Sequence, residues 1–181
     1  MASGALPVTA LAGVALLEGV AFGDDRGELR KVVRREETAR AALELVVDEV
    51  IVTTNDLAGT VRGMHLQVAP FEESKTLWVT HGRLLDVLVD ARPDQPTYGR
   101  WAAVELAAGD GLALHVPPGV AHGYQTLEDA TSLTYLMRGA YSPDHARTLR
   151  FDDPAVGIEW PLSVSRISAK DQQGVAWPLP S

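Results

Sequence analysis

TVRGMHLQVAPFEESKTLWVTHGRLLDVLVD, residues 60–90, decides the fold class. Its background is apolar and β-branched, which suits strands, yet Arg62, His65, Lys75 and Asp86 are set into it. Charge among such strands is costly unless they wall a wet cavity. The stretch therefore predicts a small barrel with chemistry inside it. Alternation is clearest in LLDVLVD at 84–90. Side chains two apart share a face, so Asp86 and Leu88 face together with Val87 and Val89 opposite. If both faces are packed, Asp86 needs a donor, and Lys75 on the preceding strand is the expected one.

Outward from this stretch, strands are expected at about 61–67, 75–80 and 83–90, then at 101–107, 112–116 and 131–137. Upstream, residues 45–54 read as a strand and 8–22 as one or two short ones, with GDDRG at 23–27 as a turn. EETARAALEL at 36–45 is the best helix candidate, being rich in Ala, Leu and Glu. ARPDQPTYGRW at 91–101 reads as an ordered surface loop, because Pro93 and Pro96 interrupt both helix and ladder. Residues 55–59 and PPG at 117–119 read as turns. Short strands with this punctuation indicate an all-β sandwich or barrel. The tail, 141–181, reads as irregular with short helical turns, and the 181 residues fit one domain.

Hydrophobic residues make up 46% of the chain, enough for a core, and the formal net charge is -8. That balance argues against general binding to nucleic acid or to an anionic membrane, but leaves room for a local Arg/Lys site for a phosphorylated ligand. Cysteine is absent, which excludes disulfides, thiolate catalysis and Cys-ligated zinc and fits a reducing cytoplasm. The mildly apolar start, MASGALPVTALAGVALLEGVAF, lacks a basic region and is followed by Asp24 and Asp25. It reads as strand and loop, not a signal peptide. No apolar run reaches the roughly 20 residues needed to span a bilayer.

Among residues able to do chemistry, His65 in mid-strand titrates near neutrality, as a general base must. Its bland reading is a histidine with satisfied hydrogen bonds. Strict alternation puts Arg62 and His65 on opposite faces. A bulge at Gly63 would unite them; otherwise they serve different parts of a ligand. Tyr135, in SLTYLM at 132–137, is either a wall residue or a proton donor opposite a base. Asp171, in SAKDQQ at 168–173, reads alone as a helix-start or surface carboxylate. No G-x-G-x-x-G, Walker A, G-x-S-x-G or H-E-x-x-H motif is present, so redox and nucleotide-hydrolysing chemistry lack support.

GLALHVPPGVAH at 111–122 resembles the second motif of the cupin superfamily, G-x5-P-x-G-x2-H, in which the final histidine, here His122, can ligate a metal. The first cupin motif offers only His65 and Gln67 here, too few ligands for a secure metal site, and neither His81 nor His115 has convincing spacing. No metal and no organic cofactor is expected.

The chain further resembles the nucleotide-sugar 4-keto-6-deoxyhexose 3,5-epimerase family. The matches are VRGMHLQ at 61–67, Lys75, DVLVDAR at 86–92, PTYGRW at 96–101, VPPGVAHGY at 116–124, YSPDH at 141–145, FDDPAVGIEWPL at 151–162 and SAKD at 168–171, in the family's order. The resemblance implies a cupin jelly roll, a homodimer formed by strand exchange, and cofactor-free epimerisation at C3 and C5 of a dTDP-linked 4-keto-6-deoxy sugar, or at C3 alone. It implies His65 as base, Asp171 as its orienting carboxylate, Tyr135 as opposing donor and Lys75 at the keto oxygen. The expected substrate-binding set is Arg26, Arg62, His122, Gln67 and Asp86.

Departures fall in the substrate shell. VDEVIVTTND at 47–56 lacks the family's Gln and Asn, RGELRK at 26–31 lacks its early Glu, ESK at 73–75 replaces Q-G-K, and His115 replaces a frequent aromatic. These leave open a relative acting on another carbonyl substrate, or a non-catalytic cupin-like binding protein.

Overall fold

A computed structural model describes residues 5–179. The first four residues of the apolar start and the last two of the irregular tail lie outside the described residues. The strands are β1 (Leu6–Pro7), β2 (Ala15–Glu18), β3 (Val20–Asp24), β4 (Gly27–Lys31), β5 (Glu49–Asn55), β6 (Val61–Gln67), β7 (Ser74–His81), β8 (Arg83–Asp90), β9 (Trp101–Ala107), β10 (Leu112–Val116), β11 (Val120–Thr126), β12 (Thr131–Arg138) and β13 (Ala146–Thr148). Two short helices, α1 (Arg35–Arg40) and α2 (Ala169–Gln172), complete the elements used below. A six-stranded sheet in the order β1-β9-β8-β11-β6-β13 packs on a five-stranded sheet in the order β2-β10-β7-β12-β5, and β3 and β4 form a separate hairpin. This is the expected all-β, cupin-like jelly-roll sandwich.

Alternation along β8 explains the layering. Leu84 and Leu88 point between the sheets and join Leu77, Leu114 and Leu133 in the inner core. Val87 and Val89 point outward, where Met64, Trp101 and Leu149 surround them and Trp160 and Trp177 of the tail pack on top. Burying both faces of β8 is what makes its sequence nearly continuous in apolar residues. Asp90 ends the strand with no exposure, its carboxylate accepting from the Arg92 guanidinium at 2.8 Å and the Thr97 hydroxyl at 2.6 Å. That clamp orders the Pro-rich loop expected on the surface. Breaking a buried pair of this kind costs about 3–5 kcal/mol.

Three expectations need correction. The helix foreseen at 36–45 stops at Arg40; no side chain caps its start, and Ala42 takes φ 54°, which ends the turn. The strand foreseen from 45 begins only at Glu49. Four strands lie in segments with no strand expected, β1, β4, β11 and β13. VAHGYQT at 120–126 is buried at every position, so it lacks the in–out alternation by which half-buried strands are recognised. Among the described residues, no helix is long and apolar enough to cross a membrane.

Candidate active site

A cavity of about 270 Å³ opens between the two sheets. Arg62 and His65 on β6 and His122 and Tyr124 on β11 form one wall; Ile51 and Thr53 on β5, Lys75 on β7, and Tyr135 and Met137 on β12 form the other.

Arg62 and His65 share a wall because β6 is bulged. Across β11, Tyr124 is opposite Arg62 and His122 is opposite His65, so β6 carries one more residue than its partner between these points. The extra residue falls where Gly63 takes φ 123°. A Cβ there would come within 2.5 Å of the Gly123 Cα, so two glycines let the strands close. Of the two arrangements left open by the sequence, the bulge is the one that forms.

His65 is half-exposed to the cavity and bonded to Asp171, Nε2 to Oδ1, at 2.7 Å. Asp171 sits in the first turn of α2, as a helix-start carboxylate should, but is buried, not on the surface. Burial pushes its carboxyl up; the hydrogen bond and charge of His65, the Gly63 amide and Ser168 outweigh that and hold it below its ordinary value. An ionised carboxylate only accepts, so Nε2 carries the proton and Nδ1 is left as the basic nitrogen.

His122 is backed in the same way, its Nε2 lying 2.9 Å from Asp86 Oδ2. This corrects the expected Asp86–Lys75 pair. Asp86 has no exposure and stands behind His122, so the substrate contact expected of it is not available. Its Oδ1 has no hydrogen-bond partner, and burial raises its pKa against the opposing influence of His122 and then Lys75. Lys75 Nζ is paired instead with Glu73 at 2.8 Å and donates to the His65 carbonyl oxygen at 3.3 Å.

Tyr135 faces His122 edge-on across the cavity, ring centroids 6.0 Å apart. Burial, then Tyr124 and Asp86, raise its pKa well above that of a free phenol, with Arg62 opposing. It therefore holds its proton at neutral pH. Gln67 lines the cavity, but its amide donates to the Phe71 and Ala140 carbonyls and accepts from the Ser142 amide. Its hydrogen bonds hold the following loop. Arg26 is not brought to this cavity: it lies in the β3–β4 turn, with its side chain 85% exposed and paired with Asp24.

The sequence reading missed Asn55 at the end of β5. Its Oδ1 accepts from Arg62 Nε at 2.8 Å and from the Tyr124 hydroxyl at 3.2 Å, fixing the guanidinium. The residue read as the start of a turn, and only the β-branched run before it hinted at an inward-facing strand end. Lys170 and Arg147 add positive charge to the cavity lining. The SAKD segment carries Lys170 beside Asp171 and was its only signal. His115 is not in the cavity; it is buried against the Thr76 hydroxyl at 2.9 Å, and desolvation lowers its pKa. Among the described residues, no group of three or more His, Asp or Glu is arranged to hold a metal ion.

A family model described as dTDP-4-dehydrorhamnose 3,5-epimerase matches residues 8–178. The chain belongs to the dTDP-4-dehydrorhamnose 3,5-epimerase family. It is 39% identical to the dTDP-4-dehydrorhamnose 3,5-epimerase of Sinorhizobium fredii over 89% of this chain and 83% of that one. The crystal structure of the Bacillus anthracis dTDP-4-dehydrorhamnose 3,5-epimerase, with TDP and PPi bound, superposes with a TM-score of 0.86 at 33% identity, covering 90% of this chain and 93% of that one. A 3'-monoepimerase from Streptomyces bikiniensis, in complex with dTDP-quinovose, gives a TM-score of 0.84 at 28% identity over 96% of this chain and 87% of that one. Enzymes that invert two carbons and one that inverts a single carbon thus share the fold of this epimerase-family chain.

Proposed function

We propose that this protein inverts C3, C5 or both in a dTDP-linked 4-keto-6-deoxyhexose through an enolate. The observation that carries the reading is the placement of His65, locked on Asp171, on one sheet and Tyr135 on the other, across a cavity sized for a hexose and not for a whole nucleotide sugar. The C4 ketone acidifies the protons on both neighbouring carbons. His65 Nδ1 removes one, and the C–H electron pair moves into the ring as the carbonyl becomes an enolate. The Lys75 ammonium donates to the oxygen as its negative charge develops. Asp171 stabilises the imidazolium. Tyr135 then delivers its proton to the opposite face, the enolate collapses to the ketone, and exchange with water restores both side chains. Arg62, oriented by Asn55, with Lys170 and Arg147, offers the positive charge and directed donors that a diphosphate needs. His122 adds a polar side chain beside the sugar.

The test is incubation with dTDP-4-keto-6-deoxyglucose in deuterated water, read by NMR. Deuterium should enter at C3, C5 or both, with inversion, and a chelator should leave the rate unchanged. No exchange at either carbon rules out the reaction. Exchange at C3 alone assigns the monoepimerase activity.

The functional form is a homodimer. The edge strand β5 exposes Val50 and Val52, and the β3–β4 hairpin exposes Phe22 and Leu29. An uncovered apolar sheet edge is a hazard that a second copy removes. The hairpin also carries Arg26 away from the cavity of its own chain, so a diphosphate contact by Arg26 requires a second copy. Sedimentation equilibrium should give twice the chain mass; a monomer at all concentrations removes the dimer.

A further inference from the structure

Glu73 directly precedes β7 and is two residues before Lys75, so both side chains leave the strand on the cavity face. Their ion pair, 2.8 Å long, is largely withdrawn from water, with side-chain exposures of 13% for Glu73 and 10% for Lys75. The Lys75 ammonium is thereby held between two fixed acceptors, the Glu73 carboxylate and the His65 carbonyl oxygen. An ammonium has a further proton to give, and these anchors leave it for the cavity.

A carboxylate at this point is unexpected on electrostatic grounds. The cavity has to stabilise an enolate beside an anionic diphosphate, and an added negative charge opposes both. Other cations border the same space: Arg62 from β6, Arg147 from β13 and Lys170 from α2. With those charges beside it and no anchor, a flexible lysine side chain would swing toward solvent or toward the diphosphate. Glu73 is also one of the positions at which the chain departs from its family's pattern, ESK standing where Q-G-K is usual.

We infer that Glu73 is a positioning residue for the reaction: it fixes the Lys75 ammonium over the site of the enolate oxygen and keeps it from the diphosphate. The inference rests on the epimerase reading above. It predicts an effect on the transition state and not on ground-state binding, because the lysine's oxygen partner gains its charge only as the proton leaves. Glu73→Gln keeps the shape and removes the charge. It should lower kcat for deuterium exchange about tenfold, the weight of a charge-assisted hydrogen bond, with KM changed less than about twofold. Glu73→Asp, which keeps the charge, should recover kcat to within about threefold of wild type. Thermal melting checks that the variants fold, and Glu73→Ala takes the place of Glu73→Gln if the latter does not.

An unchanged kcat, a change confined to KM, or an Asp variant as slow as the Gln variant overturns the role. Loss of exchange at one carbon with the other intact also overturns it, since Glu73 would then be taking a proton itself. A wild-type enzyme that exchanges neither proton brings down the epimerase reading, and this role with it. An active wild type with an unaffected Glu73→Gln variant removes only Glu73.

Discussion

His65→Ala is expected to lower deuterium exchange at the sugar by about 10³- to 10⁴-fold, and Asp171→Asn by about 10²-fold. The difference follows from the geometry. Removing the imidazole takes away the base held against Asp171. Asparagine can still accept from Nε2 through its amide oxygen, so the ring keeps its orientation, but the charge that stabilises the imidazolium is gone. Both variants should be measured by NMR exchange at each carbon, with melting curves as a check on folding. Exchange at both carbons at the wild-type rate in His65→Ala would remove His65 from the mechanism. The Asp171 carboxyl also carries a stability signature. Because its pKa is lowered in the folded protein, its ionised form contributes stability above the unfolded value of about 3.9, and that contribution disappears as pH falls through the folded value. Asp171→Asn should abolish this part of the acid dependence and leave stability at neutral pH lower than in wild type.

Tyr135→Phe is expected to separate two events that the wild type joins. The ring still packs against His122, but the hydroxyl proposed as the second proton donor is gone. Deprotonation by His65 and stabilisation by Lys75 do not need it. The enolate should therefore still form and collapse back through His65, returning the starting configuration. If the proton on His65 equilibrates with water within the enolate lifetime, deuterium enters without inversion. Epimer formation should fall by about 10²-fold or more while exchange falls far less. The raised pKa of Tyr135 agrees with this role: the side chain is a full proton carrier at neutral pH, and the enolate carbon is basic enough to take that proton. The measurement is paired deuterium uptake and product stereochemistry. An unchanged ratio of epimer to exchange would assign the second proton to water.

The strands that were legible in the sequence are those whose ends carry glycine, proline or a charged turn. β6, β8, β9 and β10 begin and end where the pattern places them, because each is short, β-branched and sharply punctuated. Helix α1 was overread because Ala, Leu and Glu favour a helix without requiring one, and no residue of 41–48 is buried to hold one in place. The residues proposed to transfer protons became legible through family motifs, not through periodicity.

Tertiary structure decided what those residues touch. Asp171 meets His65 across 106 positions, because the tail packs Trp160 and Trp177 over the outer face of β8 and so delivers α2 to the mouth of the cavity. An irregular segment has no period from which such a path can be read. Arg62 joins His65 only through the bulge at Gly63, and alternation by itself would have parted them. Asp86 found His122, not Lys75, because β11 lies between β6 and β8, and strand order is a property of the closed sheet. Composition, strand content and motifs follow from local chemistry and were determined by the sequence read by itself. Which carboxylate serves which imidazole depends on contacts between distant segments, and only folding makes them.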